Sequence, residues 1–409
     1  MQVLKLSLWL LLGSSLVANE NNTTLDSYIS EYKNKEFKYD YMKNKAEGAK
    51  LHDSWIAPVR LHYSYSRSKP YTKEQTNENA AIRVDQPIFQ SGGIYYGMKF
   101  ANASKMYADY SIDVAKRKMI KQAITLLMQI KQTEFKLQKQ ELLIANSQMN
   151  LEQKEEQYLS GQLDSGFLDN AIIQKNRVTL TLYDIQTAKE KLVTSFESLS
   201  DLEYKKVSIP HFEMILGEDF LTHNIVLKQT KSLIEKNRYA KNVRVAKYLP
   251  RVNFTAGYNW MKSTGQQIVA NGVPIDTSSE SNYYDYGFRA NFALDINTFR
   301  DIESAKVDYL KAQVIQLDKK RELDALYKQV MHNIENFDKK IKLSQANKKL
   351  YNKLLSDTKD LYKAGYKTEY DVKTLINSLE IQEIDTKIYE IDKQLELLKL
   401  YEMYINGGK

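Results

Sequence analysis

The sequence has no cysteine, and it has few of the residues that interrupt long elements of secondary structure. Without cysteine, disulfides, thiol catalysis, thiolate metal sites and lipid attachment to an N-terminal cysteine are all excluded. The 409 residues include only 15 glycines and 6 prolines, which favours very long helices over many short elements. The five histidines are scattered and form no i, i+4 pair of the kind that binds a metal on a helix. We therefore expect no metal, no cofactor and no enzymatic activity.

Charge is distributed along the chain and is not gathered in one block. The formal net charge is +8, but lysines alternate with glutamates and aspartates through most of the sequence. Such alternation is typical of solvated helical faces. It does not predict a nucleic-acid partner.

The first residues have the pattern of a secretory signal peptide. Lys5 precedes an apolar run from Leu6 to Leu12, and small residues precede an expected cleavage after Ala18. The run is far shorter than the ~20 residues that a membrane-spanning helix needs. We therefore expect residues 1–18 to be removed, and the exported mature protein to have no transmembrane helix.

The rest of the sequence has the pattern of one unit present twice, in the order helix, strand, strand, long helix, helix. Three markers recur in this order: a strand that begins at Pro58 and again at Pro250, a second strand that leads into a long helix, and a Tyr-x-x-Gly turn at Gly161 and again at Gly365. The predicted segments are a first repeat at 19–206, a linker at 207–217 and a second repeat at 218–409.

Four segments alternate between apolar and polar residues, as strands with one apolar face do. In the third segment Phe254, Tyr258 and Trp260 alternate with small or polar residues. A soluble, half-buried sheet explains one such strand, but four of them with aromatic residues toward their ends are typical of an outer-membrane barrel. The predicted strands are at about 57–67, 80–90, 250–261 and 283–295, and the predicted polar loops within each pair are at 68–79 and 262–282.

Heptad spacing in the predicted helices indicates coiled-coil packing. Ile381, Ile384, Ile388 and Ile391 keep this spacing, which is typical of helices that pack side by side along their whole length. The stretch 93–158 contains no proline, so a helix there would extend on the order of 100 Å. Soluble globular domains rarely contain such an element.

The four strands require other copies of the chain if they span a membrane. An open sheet would expose unpaired backbone N–H and C=O groups to hydrocarbon at both edges, so the sheet must close. Three copies would supply about twelve strands and leave a water-filled lumen, whereas two would supply about eight, with an interior nearly filled by side chains. The predicted fold is therefore an α+β membrane protein whose homotrimer forms a 12-stranded outer-membrane β-barrel, continued by a long periplasmic α-helical coiled-coil barrel.

The sequence resembles the TolC-like outer membrane efflux protein family over essentially all of the mature chain. The resemblance rests on the doubled layout, on the stretch from Val84 to Gly93, which is similar to the family's strand-to-helix junction, and on the two Tyr-x-x-Gly turns. It implies a passive outer membrane channel with its helices in the periplasm. The implied partners are outer membrane lipid, a periplasmic adaptor, and an inner-membrane pump or ABC transporter of an efflux or type I secretion system.

The resemblance also implies two kinds of site residue. Gly161, Gly365 and Tyr158 would lie at the periplasmic hairpin tips, where the adaptor docks. In the second repeat, the closed entrance would be formed by the residues that match the family's gate: Tyr362, Lys367 and Asp371. The first repeat has Phe167 where the gate aspartate is expected, which leaves Asp164 and Asp169 as weaker candidates. An exposed helix tip without a gate function is the alternative for these positions.

Two other classes of protein share part of this pattern. A trimeric coiled-coil surface or adhesive protein would have the heptads but not the duplicated strand pairs. A periplasmic adaptor would have one helical hairpin between compact β domains, whereas this sequence predicts two hairpins. We therefore retain the coiled-coil surface protein as the alternative to a channel.

Overall fold

The computed structural model describes residues 23–69, 74–270, 273–292 and 294–405, and the predicted signal peptide lies outside these ranges. In the described part of the chain the order helix, strand, strand, long helix, helix occurs twice. The elements are α1 (Thr23–Asp26), α2 (Glu31–His52), β1 (Arg60–Ser68), β2 (Gln75–Phe89), α3 (Gly93–Leu159), α4 (Ser165–Glu197), α5 (Gly217–Thr222), α6 (Ile225–Lys247), β3 (Arg251–Ala270), β4 (Val273–Asn291), α7 (Thr298–Lys363) and α8 (Glu369–Tyr401).

The helices α3 and α7 are very long because nothing in their sequences interrupts them. Helix α3 has 67 residues and no proline, which gives a length on the order of 100 Å. It follows a tight turn in which Ser91 and Gly92 have φ of 48° and 86°. The Ser91 hydroxyl donates a hydrogen bond to the Pro250 carbonyl at 2.6 Å, so this turn is fastened to the start of β3. The stretch that resembles a strand-to-helix junction therefore forms one.

The four strands form one antiparallel sheet in the order β1-β2-β3-β4. Residues paired across an antiparallel ladder lie on the same face, so the register fixes which rows share a side. Leu61 pairs with Ile82, Ile82 with Tyr258, and Tyr258 with Tyr284. The apolar rows of all four strands therefore share one face, and the polar rows share the other. Strands β1 and β4 lie at the two edges.

Three strands extend further into the predicted polar loops than the sequence indicated. Strand β2 begins at Gln75, β3 continues to Ala270, and β4 begins at Val273. Much of the ranges 68–79 and 262–282 is therefore strand, and the prediction of loops there was wrong in extent. Backbone pairing between strands, as between Gln266 and Thr277, does not require the apolar alternation used to recognise a strand.

The main hydrophobic core lies near the middle of α3 and α7 and at the C-terminal end of α8. Ile124 and Met128 of α3 are buried there with Val330 of α7. Phe212 and Ile215 also enter this core, so the range 207–217, predicted as a linker, packs against both halves of the chain. The heptad isoleucines of α8 are buried as their spacing predicts.

No helix within the described ranges is long and apolar enough to cross a membrane.

Candidate functional site

Both long helices end in the same kind of glycine turn. Gly161 has φ of 74° and Gly365 has φ of 81°, a left-handed conformation that side chains disfavour. The N–H of the residue after each glycine reaches back to the helix: Gln162 donates to the Gln157 carbonyl at 2.8 Å, and Tyr366 donates to the Leu361 carbonyl at 2.9 Å. This is the Schellman pattern of helix termination. It explains why glycine ends the Tyr-x-x-Gly sequence in both repeats.

The tyrosines of the two turns hold the glycines through their backbone. The Tyr158 carbonyl accepts the Gly161 N–H at 2.9 Å, and the Tyr362 carbonyl accepts the Gly365 N–H at 3.0 Å. Both side chains are exposed, and within the described part of the chain neither hydroxyl has a hydrogen-bond partner. The Tyr362 hydroxyl therefore makes no hydrogen bond to Lys367 or Asp371 within this protomer.

Lys367 and Asp371 lie together at the start of α8. The Lys367 Nζ is 3.8 Å from Asp371 Oδ1. The other carboxylate oxygen of Asp371 accepts from both the N–H and the hydroxyl of Thr368 at 2.9 Å, while the Asp371 N–H donates to the Thr368 hydroxyl. The bond from the Thr368 N–H lowers the pKa of Asp371, so this carboxylate is ionised at neutral pH.

Thr368 and Asp371 form a capping box that begins α8. Such a box satisfies free N–H groups in the first helical turn. The structure therefore gives Asp371 a local role in helix capping in addition to any role at an entrance. In the first repeat the N-cap position, which Thr368 occupies in the second, is occupied by Asp164, which accepts from the Gly166 N–H at 2.7 Å.

The weaker candidates in the first repeat have separate positions. Asp164 is the N-cap of α4, whereas Asp169 lies one turn further along the helix and is exposed. Phe167, at the position that corresponds to Asp371, has 52% of its surface exposed. The two tips therefore share their turn geometry and differ in the charge of their first helical turn.

A hydrogen bond joins the tip of the second hairpin (α7 and α8) to the first hairpin (α3 and α4). Sequence patterns do not indicate this contact. The Tyr370 hydroxyl donates to Glu156 Oε1 at 3.1 Å, which raises the pKa of Tyr370. Two turns further along α8, Asn377 Nδ2 donates to Asn146 Oδ1 at 2.8 Å. Because α3 and α8 belong to different hairpins, these bonds connect the two hairpins near their tips. The partners are more than 200 residues apart in the chain, so no local pattern could predict them.

A series of polar contacts continues along the α3–α8 interface away from the tips. Lys139 of α3 is 2.7 Å from Asp385, and Gln132 donates to Asp392 at 2.6 Å. These contacts fix the alignment of α8 against α3 over several helical turns.

We expect Gly365→Ala to loosen the second turn without a steric clash. A Cβ at Gly365 would have no atom within 4 Å, so the cost comes from the left-handed backbone and is about 1 kcal/mol. Amide hydrogen exchange at Gly365 and Tyr366 should become about fivefold faster. Gly287→Ala is the control, since it also has open space around the Cβ but no positive φ. Equal exchange at the tip in wild type and Gly365→Ala would contradict this assignment.

The sheet exposes its apolar face. Phe288 is 73% exposed, and Leu61, Tyr284 and Tyr286 are exposed to a similar extent. Large contiguous apolar patches on a protein surface mark contacts with membranes or with other proteins. The opposite face carries polar residues in every strand. Within the described residues, no group of three histidine, aspartate or glutamate side chains is placed to hold a metal.

This architecture is similar to that of solved membrane proteins. The outer membrane channel CmeC of Campylobacter jejuni matches with a TM-score of 0.71 and 12% identity, over 93% of this chain and 84% of its own. The outer membrane protein VceC of Vibrio cholerae matches with a TM-score of 0.65 and 14% identity, over 91% of this chain and 93% of its own. The chain has the outer membrane channel fold.

A third example of the outer membrane channel fold is the open state of the MtrE outer membrane channel of Neisseria gonorrhoeae. It matches with a TM-score of 0.57 and 13% identity, over 94% of this chain and 87% of its own. No protein-family model and no curated protein matches the sequence. The similarity to solved channels confirms the resemblance seen in the sequence for the fold.

Proposed function

We propose that three copies of this chain form a passive channel through the outer membrane, in which an inner-membrane pump and a periplasmic adaptor deliver the solutes to be exported. The observation that carries this proposal is an exposed apolar face on a sheet with two open edges. The same face is what a lipid bilayer would cover. Similarity in fold to outer membrane channels adds support.

The dimensions of the apolar face suit a membrane. On β3 the apolar row runs from Val252 to Trp260, and the next residue of that row is Lys262, which pairs with Glu78 and Glu280. At ~3.4 Å per residue and a tilt of about 45°, Val252 to Lys262 spans about 25 Å of membrane depth. This is the height of the apolar band in outer-membrane barrels. The charged row would lie at the outer surface.

Aromatic residues with polar groups lie at the outer end of this band. Trp260 Nε1 donates to Glu280 Oε1 at 2.9 Å, and the Tyr63 hydroxyl donates to Glu78 at 3.2 Å. Such side chains place a ring in the apolar layer and a polar atom in the headgroup layer, as the aromatic girdles of barrels do. The band therefore has the composition of a membrane surface in addition to its length.

Two features of the single chain call for neighbouring copies. Strands β1 and β4 have unpaired edges, which cannot remain open in hydrocarbon. Helix α7 also carries an exposed stripe with heptad spacing, Val307, Leu310, Val314 and Leu317, which are between 46% and 69% exposed. Pairing β4 of one copy with β1 of the next would close a barrel of about twelve strands and bring helices together below it.

The hairpin tips provide a means of closing the channel. In this proposal the second hairpin, α7 and α8, is held against α3 near the tip by the Tyr370–Glu156 and Asn377–Asn146 bonds. Opening separates this hairpin from α3. Lys367 and Asp371 would lie at the entrance, where symmetry repeats Asp371 as an acidic ring that favours cations. Gly161, Gly365 and Tyr158 would be at the surface where the adaptor docks.

Planar-bilayer recording of the purified protein tests the channel directly. We expect discrete conductance steps from the wild-type chain, because a barrel of about twelve strands encloses water. A purified, membrane-inserted protein that never gives conductance steps would contradict the proposal. The alternative, a coiled-coil surface protein, predicts that result.

Asp371 should affect ion selectivity separately from its role in capping. Asp371→Asn removes the charge and keeps an oxygen that can accept from Thr368, so it should lower the preference for cations. Thr368→Ala removes the hydroxyl contacts of the cap and keeps the Asp371 carboxylate, so it should leave the selectivity unchanged. The measurement is the reversal potential in a salt gradient. Identical selectivity in wild type and Asp371→Asn would remove Asp371 from the entrance.

A further inference from the structure

The charged residues on the polar face of the sheet lie close to the strand ends that adjoin the helices. Arg60 of β1 lies directly opposite Arg83 of β2 in the ladder. Like charges in this position destabilise a sheet, so the pair is not explained by folding. Arg289 of β4 lies on the same face, where Asn253 pairs with it.

The carboxylates on this face do not fully balance the arginines. Arg289 Nη1 is 3.8 Å from Asp85 Oδ2. Arg83 Nη2 donates to Asn259 Oδ1 at 3.2 Å, and the amide of Asn259 in turn donates to Asp285 Oδ1 at 3.1 Å. Among the residues that the structure describes, the Arg60 guanidinium has no hydrogen-bond or ion-pair partner.

These residues line one groove. It has a volume of about 530 Å³ and is bordered by all three arginines, by Asp85 and Asp285, and by His62. The three arginines and two aspartates leave an excess of one positive charge per chain. Toward the strand ends that lie away from the helices, the polar face has no charged residue in any of the four strands. This uncharged part extends to Ser68 of β1, Gln75 of β2, Ser263 of β3 and Ser279 of β4. The charge on this face is therefore a narrow belt, not a general property of the surface.

We propose that Arg60, Arg83 and Arg289 form a cationic belt inside the barrel that favours the passage of small anionic solutes. This inference rests on the proposed channel, since only a closed barrel turns the polar face into a lumen. Fixed charges repeated around a pore raise the local concentration of ions of opposite sign. The belt would oppose the preference of the acidic entrance, so the two ends of the channel would select differently.

The test is the ratio of chloride to potassium permeability, measured from reversal potentials of the full-length protein in planar bilayers under a KCl gradient. Arg60→Gln/Arg83→Gln should lower this ratio at least about twofold. Arg67→Gln is the matched control, because it removes the same charge from β1 on the opposite face, where Arg67 is paired with Glu74. Arg67→Gln should keep the wild-type ratio of chloride to potassium permeability.

Two outcomes would overturn the belt, and they are distinguishable. Conductance steps with the same permeability ratio in wild type and double variant would overturn the belt alone. Absence of conductance in the wild type would overturn the channel together with the belt. If the double variant does not assemble, Arg60→Gln carries the test, since the Arg60 side chain has no partner to lose within the described part of the chain. An unchanged ratio in that variant would again contradict the belt.

Discussion

Phe288→Arg is expected to abolish assembly of the protein in the outer membrane. Phe288 lies on the apolar face, 73% exposed, and pairs with Phe254 in the half of the band nearer the helices. An arginine that faces lipid costs about 2–4 kcal/mol at the midplane and less toward the interfaces, and a trimer would contain three of them. The fraction of the chain found as folded trimer in outer-membrane preparations should fall to a small part of the wild-type amount.

The neighbouring residue gives a matched control for this substitution. Gly287 lies on the polar face, and a Cβ there would meet no atom within 4 Å. Gly287→Arg introduces the same side chain one position away, and it would point into water in the barrel. It should therefore assemble nearly as well as wild type. Equal assembly of Phe288→Arg and Gly287→Arg would contradict the assignment of the two faces.

A covalent link between Asn146 and Asn377 is expected to hold the channel shut. The two amides are 2.8 Å apart and connect α3 to α8 near the tips. Since the sequence has no cysteine, Asn146→Cys/Asn377→Cys provides one defined pair for a short, cleavable bis-thiosulfonate reagent. If opening requires the hairpins to separate, cross-linking should reduce opening events at least about tenfold, and a reducing agent should restore them.

The control for the cross-link uses the same variant. A monofunctional thiosulfonate modifies both cysteines without joining the helices, so it should not prevent opening.

Removing the contact at the tip should act in the opposite direction: Tyr370→Phe loses the bond to Glu156, so this channel should open more often than the wild-type channel. Cross-linked channels that open as frequently as untreated ones would show that opening does not separate α8 from α3.

The sequence predicted which residues lie on each face of the sheet better than it predicted where the strands begin and end. Alternation of residues such as Phe254 and Tyr258 indicated an apolar row, and the register then placed all four rows on one side. The outer parts of β3 and β4 were missed because their polar residues do not alternate. The long helices were predictable from the scarcity of glycine and proline, and the burial of Ile384 and Ile388 from their spacing.

The candidate site was less accessible from sequence. The Thr368-x-x-Asp371 pattern is a capping box that could have been read directly, and it shows that Asp371 has a structural partner. By contrast, the Tyr370–Glu156 bond depends on how two hairpins pack, and nothing local to either residue encodes it. For the same reason the groove around Arg60 could be recognised only once the register had placed the four strands side by side.

The central claim is that the edge strands of neighbouring copies pair to close a barrel of three chains, and cysteine cross-linking tests it most directly. One cysteine replaces Ser64 on the polar face of β1. In separate variants a second cysteine replaces one residue on the polar face of β4, so that the set covers a range of offsets between copies: Ser279, Ser281, Tyr283, Asp285 or Gly287. At one or two of these positions we predict cross-linked species of two and three chains, and none larger. Products of a single chain at every position, or a ladder that continues beyond three chains, would contradict the claim.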